Sequence, residues 1–575
     1  MRTGFFFAAV VIAVCHGQSW GNELAQQAYD ILDKRCYSCH GQKFTVADFN
    51  IRDHARVIQD MGDDSYVVPG NLEKSQIYVR VAIDRDMPEK KALPEGLPEE
   101  EIEVIRRWIE NGAPAWESSY PREPITSADV LADVYRYLDD PSREAAIKTT
   151  RIFSVVHLHN NPSISPAEMQ QYRAALSKAV NFMSRGSRIV LPEAINESET
   201  LYAVDLRDVG WDGRDTWRAV LTEYPYGTAP MNPDERLVFD KIANLYGSFN
   251  FDGFVTIRAD WFAAVATRPP IYHALLDIPE KLSELYKRQG IDPIANFRNG
   301  TAKRAGMSKS GVSAQNRMVE VHDQGAFWIS YDFKGHAGRS SLARFPLGPV
   351  FEGNEFEQFA FQHDGGEAIF ELRNGLHGYM LITSSGDRID SGPVEIVFDK
   401  KMISGTPIIV NGLSCISCHR EGLQALTDDI REGHARRFSA ADKKVKELYL
   451  TKSAMDALIE ETNDRYARAL KQAIGPFFDQ DRDVRRFEPI SFAAAAYDRD
   501  VDIVTALREL GILDRDDAIA AQIKTSGRIV SFGVGPLGEP GGVIKRKFWE
   551  SSIDAGVSVY QRMALELGVG TSVVP

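Results

Sequence analysis

The order of apolar and polar residues changes several times along the chain, and each change predicts a different element. Residues 5–14 are almost continuously apolar and follow Arg2, a pattern typical of a secretory signal, so residues 1–21 are predicted to be a signal peptide. This run is too short to span a membrane, and no later segment has about 18 uninterrupted apolar residues. Lipid anchoring through Cys15 is the alternative, although Val14 is a poor fit before such a cysteine.

Two amphipathic helices are predicted within residues 22–118. The apolar stripe of the first helix is formed by Leu24, Ala28, Ile31 and Leu32. The second helix follows Pro98 and a run of three acidic residues, and it ends near Asn111-Gly112. Its apolar stripe is formed by Ile102, Ile105, Trp108 and Ile109. With the loop between these helices, residues 22–118 are predicted to form one small all-α domain.

Residues 126–400 combine helical and alternating patterns, which predicts an α+β middle domain. Residues 326–398 contain short alternating apolar runs separated by Gly, Asn and Asp, which favours the hairpins of an antiparallel sheet. In "FQHDGGEAIF", residues 361–370, the pair Gly365-Gly366 is predicted to form a hairpin turn that presents His363 and Glu367.

Helical periodicity returns after residue 400. It predicts helices over residues 426–438 and 451–475, the second with Ser453 and Asp456 as a capping box. Residues 401–475 are therefore predicted to be a mainly helical region, followed by a mainly helical C-terminal region at 476–575. The predicted fold class is multidomain: an all-α domain, an α+β middle region with antiparallel strands, and mainly helical regions after it.

Length and charge narrow the class of protein. The chain has 575 residues, of which 43% are hydrophobic and 26% charged, an ordinary globular composition with room for several domains. The net charge of −14 argues against nucleic-acid binding, because like charges repel. It favours soluble partners that present mixed or basic surfaces.

Four of the five cysteines lie in two copies of one motif, "CYSCH" and "CISCH". The residues concerned are Cys36, Cys39 and His40 in the first copy and Cys415, Cys418 and His419 in the second. This spacing is typical of covalent haem attachment, in which both thiols bind haem vinyl groups and the histidine ligates the iron. A disulfide, a thioredoxin-like pair or a zinc site also uses C-x-x-C, but none needs the adjacent histidine. The sequence therefore predicts two covalently attached haem c groups.

Met87 is the predicted sixth ligand of the first haem iron. It lies 47 residues after His40 (87 − 40), in a polar loop that contains proline. A thioether opposite histidine raises the reduction potential of the iron. Met61, in "QDMGDD", is the alternative, and filling a gap in the core is the ordinary role of either methionine.

The sixth ligand of the second haem iron has several candidates. Met455 lies in the first turn of the predicted helix over 451–475 and is preferred. His434, only 15 residues after His419 (434 − 419), and His363 are the alternatives. An open, five-coordinate iron is the remaining option.

Four segments resemble a known family. They are "YDILDKRCYSCHG", "VVPGNLEKSQIYVRV", "DMPEK" and "LPEEEIEVIRRWIENGAPAW". Together they are similar to the cytochrome c domain found at the N-terminus of many planctomycete-type exported proteins. The resemblance covers about the first 118 residues and implies that Cys36, Cys39 and His40 hold a haem whose coordination Met87 completes. More loosely, the remainder resembles large, poorly characterised bacterial di-haem cytochromes, which implies no particular reaction.

Two functions are predicted. The first is an exported di-haem c-type cytochrome that transfers electrons between periplasmic redox partners, since bacterial c-type haems are attached outside the inner membrane. The second is a di-haem oxidoreductase, peroxidase-like or acting on a small oxidisable substrate, with an open site at the second iron. The motifs lie 379 residues apart (415 − 36), much farther than in bacterial di-haem peroxidases. A weaker hypothesis makes the middle domain a binding module for a sugar or peptide.

Overall fold

The structure is a computed structural model of the chain. It describes residues 11–573 except for 41–50, 52–53, 60, 63–64, 89–92, 94, 117–119, 308–315, 336, 400–403, 435–438, 479–482 and 555. The side chains of residues 11–22, 38, 39, 55, 434, 486 and 554 also lie outside the described part. The chain folds into two compact units, Met1–Tyr120 and Pro121–Pro575.

The first unit is built from helices and loops, and its described residues contain no β-strand. Its helices are α1 (Val11–His40), α2 (His54–Val57), α3 (Gln76–Tyr78) and α4 (Glu99–Glu110), and a π-helical turn (Val79–Ile83) follows α3. Helices α1 and α4 pack against each other. The four apolar residues predicted for α4 are its buried face. The two helices that the periodicity predicts are therefore present.

The second unit begins with helices around a small mixed sheet. The helices are α5 (Ser127–Leu138), α6 (Val156–His159), α7 (Pro166–Phe182), α8 (Leu206–Val209), α9 (Arg214–Glu223), α10 (Pro233–Tyr246), α11 (Ala259–Trp261), α12 (Ile271–Leu276), α13 (Leu282–Arg288) and α14 (Pro293–Asn299). The strands are β1 (Thr150–Ser154), β2 (Glu193–Ala194), β3 (Leu201–Asp205), β4 (Thr228–Pro230) and β5 (Thr256–Arg258). Four of them pair in the order β2-β3-β1-β5, with β1 and β5 parallel.

A six-stranded antiparallel sheet follows and confirms the predicted hairpins. Its strands are β6 (Lys303–Met307), β7 (Arg317–His322), β8 (Phe327–Asp332), β9 (Gly365–Glu371), β10 (His377–Thr383) and β11 (Arg388–Ile389). Each strand pairs with its neighbour in sequence, so the order is β11-β10-β9-β8-β7-β6. Successive side chains of a strand point to opposite faces, so this sheet presents two distinct surfaces.

The rest of the unit is mainly helical, with short strand pairs between the helices. A two-stranded ladder, β12 (Ser391–Gly392) with β13 (Ile409–Val410), leads into the helices α15 (Leu413–Cys418), α16 (Arg431–His434), α17 (Ala440–Leu448), α18 (Lys452–Ile474) and α19 (Pro489–Tyr497). The chain ends with α20 (Ile503–Glu509), α21 (Asp516–Thr525), α22 (Gly527–Ile529), α23 (Arg546–Glu550) and α24 (Val559–Glu566). The late strands are β14 (Val501–Asp502), β15 (Val543–Ile544), β16 (Ser552–Asp554), β17 (Val557–Ser558) and β18 (Gly570–Ser572).

Buried polar contacts join regions that the sequence divides at residues 400 and 475. Ser177 Oγ of α7 donates a hydrogen bond to the Ala473 carbonyl at the end of α18, at 2.6 Å. Lys178, also on α7, forms a fully buried ion pair with Glu488. These contacts help to make residues 121–575 one compact unit. The finer division into 126–400, 401–475 and 476–575 stays a prediction.

Three local predictions are wrong. Gly365 and Gly366 do not form a turn, because both lie within β9 and neither has a positive φ. The helix expected over 426–438 is reduced, among the described residues, to the single turn α16. Ser453 and Asp456 do not form a capping box, because helix α18 begins at Lys452 and Ser453 lies inside it; Asp456 pairs with Lys452 at 2.7 Å.

The coarse fold class is confirmed: the chain has two compact units, with helices and small antiparallel sheets. Within the described ranges, no helix has both the length and the apolar character that crossing a membrane requires.

Candidate functional site

The first motif lies at the C-terminal end of α1. Cys36 and His40 are in its last two turns, while the Cys39 side chain is outside the described part. Arg35, next to Cys36, makes a two-pronged ion pair with Glu101 of α4, with Nε–Oε2 at 2.8 Å and Nη2–Oε1 at 2.7 Å. Because this geometry matches guanidinium to carboxylate, it fixes the end of α1 against α4.

Met87 lies in an irregular loop after the π-helical turn. The side chain is half-buried, and its backbone N–H donates to the Arg80 carbonyl at 3.4 Å. Arg80 also pairs with Asp86 at 2.6 Å, which ties the loop to the preceding turn. Met61 is half-buried as well. The assignment of Met87 as a ligand stays a prediction.

The second motif lies on α15, whose start depends on one glycine. Gly412 has φ +84° and ψ −85°, and a Cβ there would lie 2.3 Å from the Thr267 carbonyl oxygen. Only glycine fits this position without a shift of the backbone. Ser414 Oγ then accepts a hydrogen bond from the Val410 N–H at 3.0 Å, which joins α15 to the end of β13.

Helix α18 holds the chain just after the second motif. Asn463 accepts from the Leu423 N–H at 2.7 Å and donates to the Leu423 carbonyl at 2.9 Å. One turn farther along, the Tyr466 hydroxyl donates to the Arg420 carbonyl at 3.2 Å. These bonds satisfy the backbone of the segment that follows His419, so the segment has a fixed path.

The His419 ring has a defined orientation. Its Nδ1 donates to the Gly422 carbonyl at 3.1 Å, since a carbonyl oxygen can only accept. The Tyr379 ring stacks on it at 5.7 Å between centroids and 25° between planes. Nε2 faces the Glu367 carboxylate, with Oε2 at 3.8 Å. Fixing the proton on Nδ1 leaves Nε2 as the nitrogen that can bind a metal.

A cavity of about 170 Å³ separates the motif from the six-stranded sheet. The motif side includes Cys415, Cys418 and His419. The sheet side includes Arg317, Val319, Trp328, Ser330, Glu367 and Ile369. Register explains this wall, because Ser330 pairs with Glu367 and Trp328 with Ile369 across β8 and β9, which places all four on one face.

Charged groups on this wall are buried and paired. Arg317 binds Asp332, with Nε–Oδ1 at 2.6 Å and Nη2–Oδ2 at 3.0 Å. Burial raises the pKa of Asp332, and the Arg317 guanidinium opposes that rise. Burial would also raise the pKa of Glu367, but His419 and Arg317 outweigh it and hold that pKa below its ordinary value. Burial and the Glu367 charge raise the pKa of the Cys415 thiol.

Two of the candidate sixth ligands of the second haem, Met455 and His363, do not line this cavity. Met455 is buried within α18 and is absent from the described cavity lining. His363 precedes β9, packs edge-on against Tyr331 at 4.9 Å, and lines a different cavity together with Arg304 and Glu320. Burial lowers the pKa of His363 to about 4. The His434 side chain lies outside the described residues. Ligation by Met455 or His434 stays a prediction.

Sequence reasoning missed the polar groups that do line the cavity. The sequence predicts Glu367 in a turn and does not single out Arg317 or Met307, yet all three line the cavity of the second motif. A usable signal was present: from residue 365 the segment "GGEAIFE" alternates as a strand and places Glu367 on the same face as Ile369.

The residues of this site fit a covalently attached haem. Cys415 and Cys418 are one turn apart on α15, and His419 follows with Nε2 turned to the cavity. The far wall offers apolar surface from Val319, Trp328 and Ile369. Tyr379, whose ring stacks on His419, does not line the cavity, and its buried hydroxyl has no hydrogen-bond partner among the described residues.

The helical first unit, with its C-x-x-C-H motif at the end of one helix and its irregular loop before another, has the features of a cytochrome c domain. Residues 36–90 match the family model described as planctomycete cytochrome C, which confirms the resemblance predicted for the N-terminal part. A cytochrome c domain transfers electrons through covalently bound haem c. The match ends well before the second motif. The comparisons with curated proteins and with solved structures gave no match.

Proposed function

We propose that the protein is an exported di-haem c-type cytochrome that transfers electrons between redox partners. The observation that carries the proposal is the second motif, where both thiols and the histidine face one cavity whose opposite wall includes the apolar side chains of Val319, Trp328 and Ile369. A disulfide or a zinc site would not need such a cavity. The first haem rests on the family match at residues 36–90.

The roles of the residues follow from the motifs. Cys36 and Cys39 would attach the first haem, and His40 and Met87 would be its axial ligands. Cys415 and Cys418 would attach the second haem, with His419 as its proximal ligand. Covalently held haem supplies one-electron redox chemistry when bound. The protein contributes ligand orientation: the bond from His419 Nδ1 to the Gly422 carbonyl turns Nε2 to the cavity.

Export and the kind of partner belong to the same proposal. The apolar run at residues 5–14 supports a signal peptide, and covalent haem attachment outside the inner membrane supports the periplasm. The net charge of −14 supports docking to redox proteins with basic or mixed surfaces, because opposite charges speed encounter.

The test is to count the haems. The full chain should be produced in a bacterial periplasm together with the c-type haem attachment machinery, and purified. Intact mass and the pyridine haemochrome spectrum are expected to give two covalent haems per chain, and both should be reducible by a soluble one-electron donor. One haem per chain would restrict the cytochrome assignment to the first unit and overturn the di-haem proposal.

A second candidate function is oxidation or reduction of a small substrate at the second haem. The polar side chains Arg317, Ser330 and Glu367 on the cavity wall favour it, because such groups can bind and orient a small polar substrate. Turnover of peroxide or a small oxidisable substrate by the purified di-haem protein, lost on replacing Arg317, would establish it. Rapid electron exchange without turnover would leave the carrier function.

A further inference from the structure

The Glu367 carboxylate lies close to Nε2 of His419, the ring nitrogen that is available to bind a metal. Glu367 Oε2 is 3.8 Å from His419 Nε2. That separation is too long for a hydrogen bond. It is close to the sum of two metal–donor bonds of about 2 Å each, one to nitrogen and one to oxygen. The two atoms are therefore spaced as opposite ligands of a single metal ion would be.

Glu367 is held rigidly and lacks a full cationic partner. It lies in the middle of β9, and its backbone N–H donates to Ser330 Oγ at 3.0 Å. Its side chain is only 13% exposed. Among the described residues, His419 is the only group within ion-pair distance of it, since Arg317 is engaged by Asp332. A buried carboxylate requires a charge partner, and a ferric iron would supply one.

The other candidate donors are less well placed. Met455 and His363 do not line the cavity of the second motif. Met307, at the end of β6, does line it and is the remaining alternative. We propose that Glu367 is the sixth ligand of the second haem iron, opposite His419. This inference rests on the proposed function, because it assumes that a haem is attached at Cys415 and Cys418.

The consequence is an ordered pair of reduction potentials. An anionic oxygen ligand stabilises ferric iron more than ferrous iron, whereas a thioether favours the ferrous state. The second site therefore has a lower potential than a first site ligated by Met87. The difference in potential then favours electron flow from the second haem to the first.

The experiment uses the full-length protein with both haems attached. Glu367→His is expected to turn the ferric EPR signal of the second haem into that of a bis-histidine iron. Glu367→Gln keeps the size of the side chain. It is expected to remove the ferric EPR signal that the second haem gives in the wild type. It should also raise the equilibrium constant for one-electron reduction at least tenfold, or about 59 mV. Glu371→Gln is the matched control, because Glu371 lies on the same strand and pairs with Arg465 at 2.9 Å.

The outcomes separate the two proposals. Two covalent haems in the wild type, with both Glu367 variants altered and Glu371→Gln unchanged, support the inference. Two haems with the EPR signal of the second unaltered in Glu367→Gln overturn it, whether or not the potential shifts, because charge removal alone moves a potential. If Met307→Leu alters that signal instead, Met307 is the ligand. A wild-type protein with one haem overturns the proposed function itself.

Discussion

The same five-residue motif lies in two very different surroundings. The first copy ends the long helix α1 in a small helical unit, and an ion pair with α4 holds it in place. The second copy is on the six-residue helix α15, which follows strand β13. A cavity separates it from the six-stranded sheet. The first copy lies within the family match and the second does not.

This difference shows which part of a haem site is determined by residues that are adjacent in sequence. The thiols and the histidine come from adjacent residues, so each motif carries its attachment chemistry within itself. The sixth ligand, the polarity around the iron and the exposure of the haem come from elsewhere in the chain. Two copies of one motif can therefore serve electron transfer at different potentials.

The strongest test of the comparison removes the attachment chemistry from one copy at a time. Cys36→Ala/Cys39→Ala and Cys415→Ala/Cys418→Ala are each expected to lower the covalent haem count from two to one, measured by intact mass. Ser417→Ala, between the second pair of thiols, should keep both haems, because within the described part of the chain its hydroxyl hydrogen-bonds only to Ser491, at 2.6 Å. If either double variant kept two haems, that copy of the motif would not be an attachment site.

The backbone geometry of the second copy gives the next largest effect. Gly412→Ala forces alanine into a positive φ and brings its Cβ against the Thr267 carbonyl oxygen. We therefore expect the free energy of unfolding to fall by about 3 kcal/mol. Haem attachment at Cys415 and Cys418 should fall with it. Gly405 has the same φ of +84° but no described atom within 4 Å of its Cβ position, so Gly405→Ala isolates the cost of a positive φ, about 1 kcal/mol.

The measurement is chemical denaturation of the two full-length variants, monitored by far-ultraviolet circular dichroism. Equal losses in both variants would show that the close approach to Thr267 contributes nothing.

The loop of the first unit gives a smaller, spectroscopic effect. Met87→Ala is expected to lower the reduction potential of the first haem by at least about 59 mV, because the thioether favours ferrous iron. This shift corresponds to a tenfold change in the equilibrium constant for one-electron reduction. The substitution should also let cyanide and CO reach that iron. Met61→Ala is the matched control, and the spectrum and the redox titration are the readouts. An effect of Met61→Ala, with none of Met87→Ala, would transfer the ligand role to Met61.

The helices of both units were predictable because helical periodicity acts over a few residues. The buried face of α4 and the extent of α18 follow from apolar residues three and four apart. Alternation of apolar and polar residues predicted the antiparallel sheet, but it did not predict that β9 begins at Gly365. Gly365-Gly366 is common in turns, whereas here pairing with β8 and β10 keeps both residues extended.

The two motifs were predictable, but their surroundings were not. Cys415 and His419 lie within one segment, so spacing alone identifies them. Glu367 reaches His419 only through the register of β8 and β9 and the position of α15 against the sheet. The sequence favours Met455 because it lies in the first turn of its helix, yet α18 contacts the segment after the motif through Asn463 and Tyr466, farther along the helix. Distant strand pairing decides such contacts, and a single sequence contains little information about it.

The smallest expected effect concerns how the first copy is held. Arg35 and Glu101 are about one-fifth exposed, at 21% and 17%, so solvent screens their attraction only in part. We expect Arg35→Ala to cost about 1 kcal/mol, the upper end for such pairs, because the contact is two-pronged. Arg106→Ala, which removes more exposed pairs with Glu103 and Glu110 on α4, should cost at most about 0.5 kcal/mol.

Salt then separates the two copies of the motif. The loss caused by Arg35→Ala should shrink when denaturation is repeated at about 1 M salt, where the screening length is about 3 Å. The loss caused by Gly412→Ala should not change, because a steric contact with the Thr267 carbonyl carries no net charge. A salt-independent Arg35→Ala effect would mean that packing of the arginine stem, rather than its charge, holds the end of α1. In that case both motifs would be positioned by shape, and the contrast between them would lie only in what faces the iron.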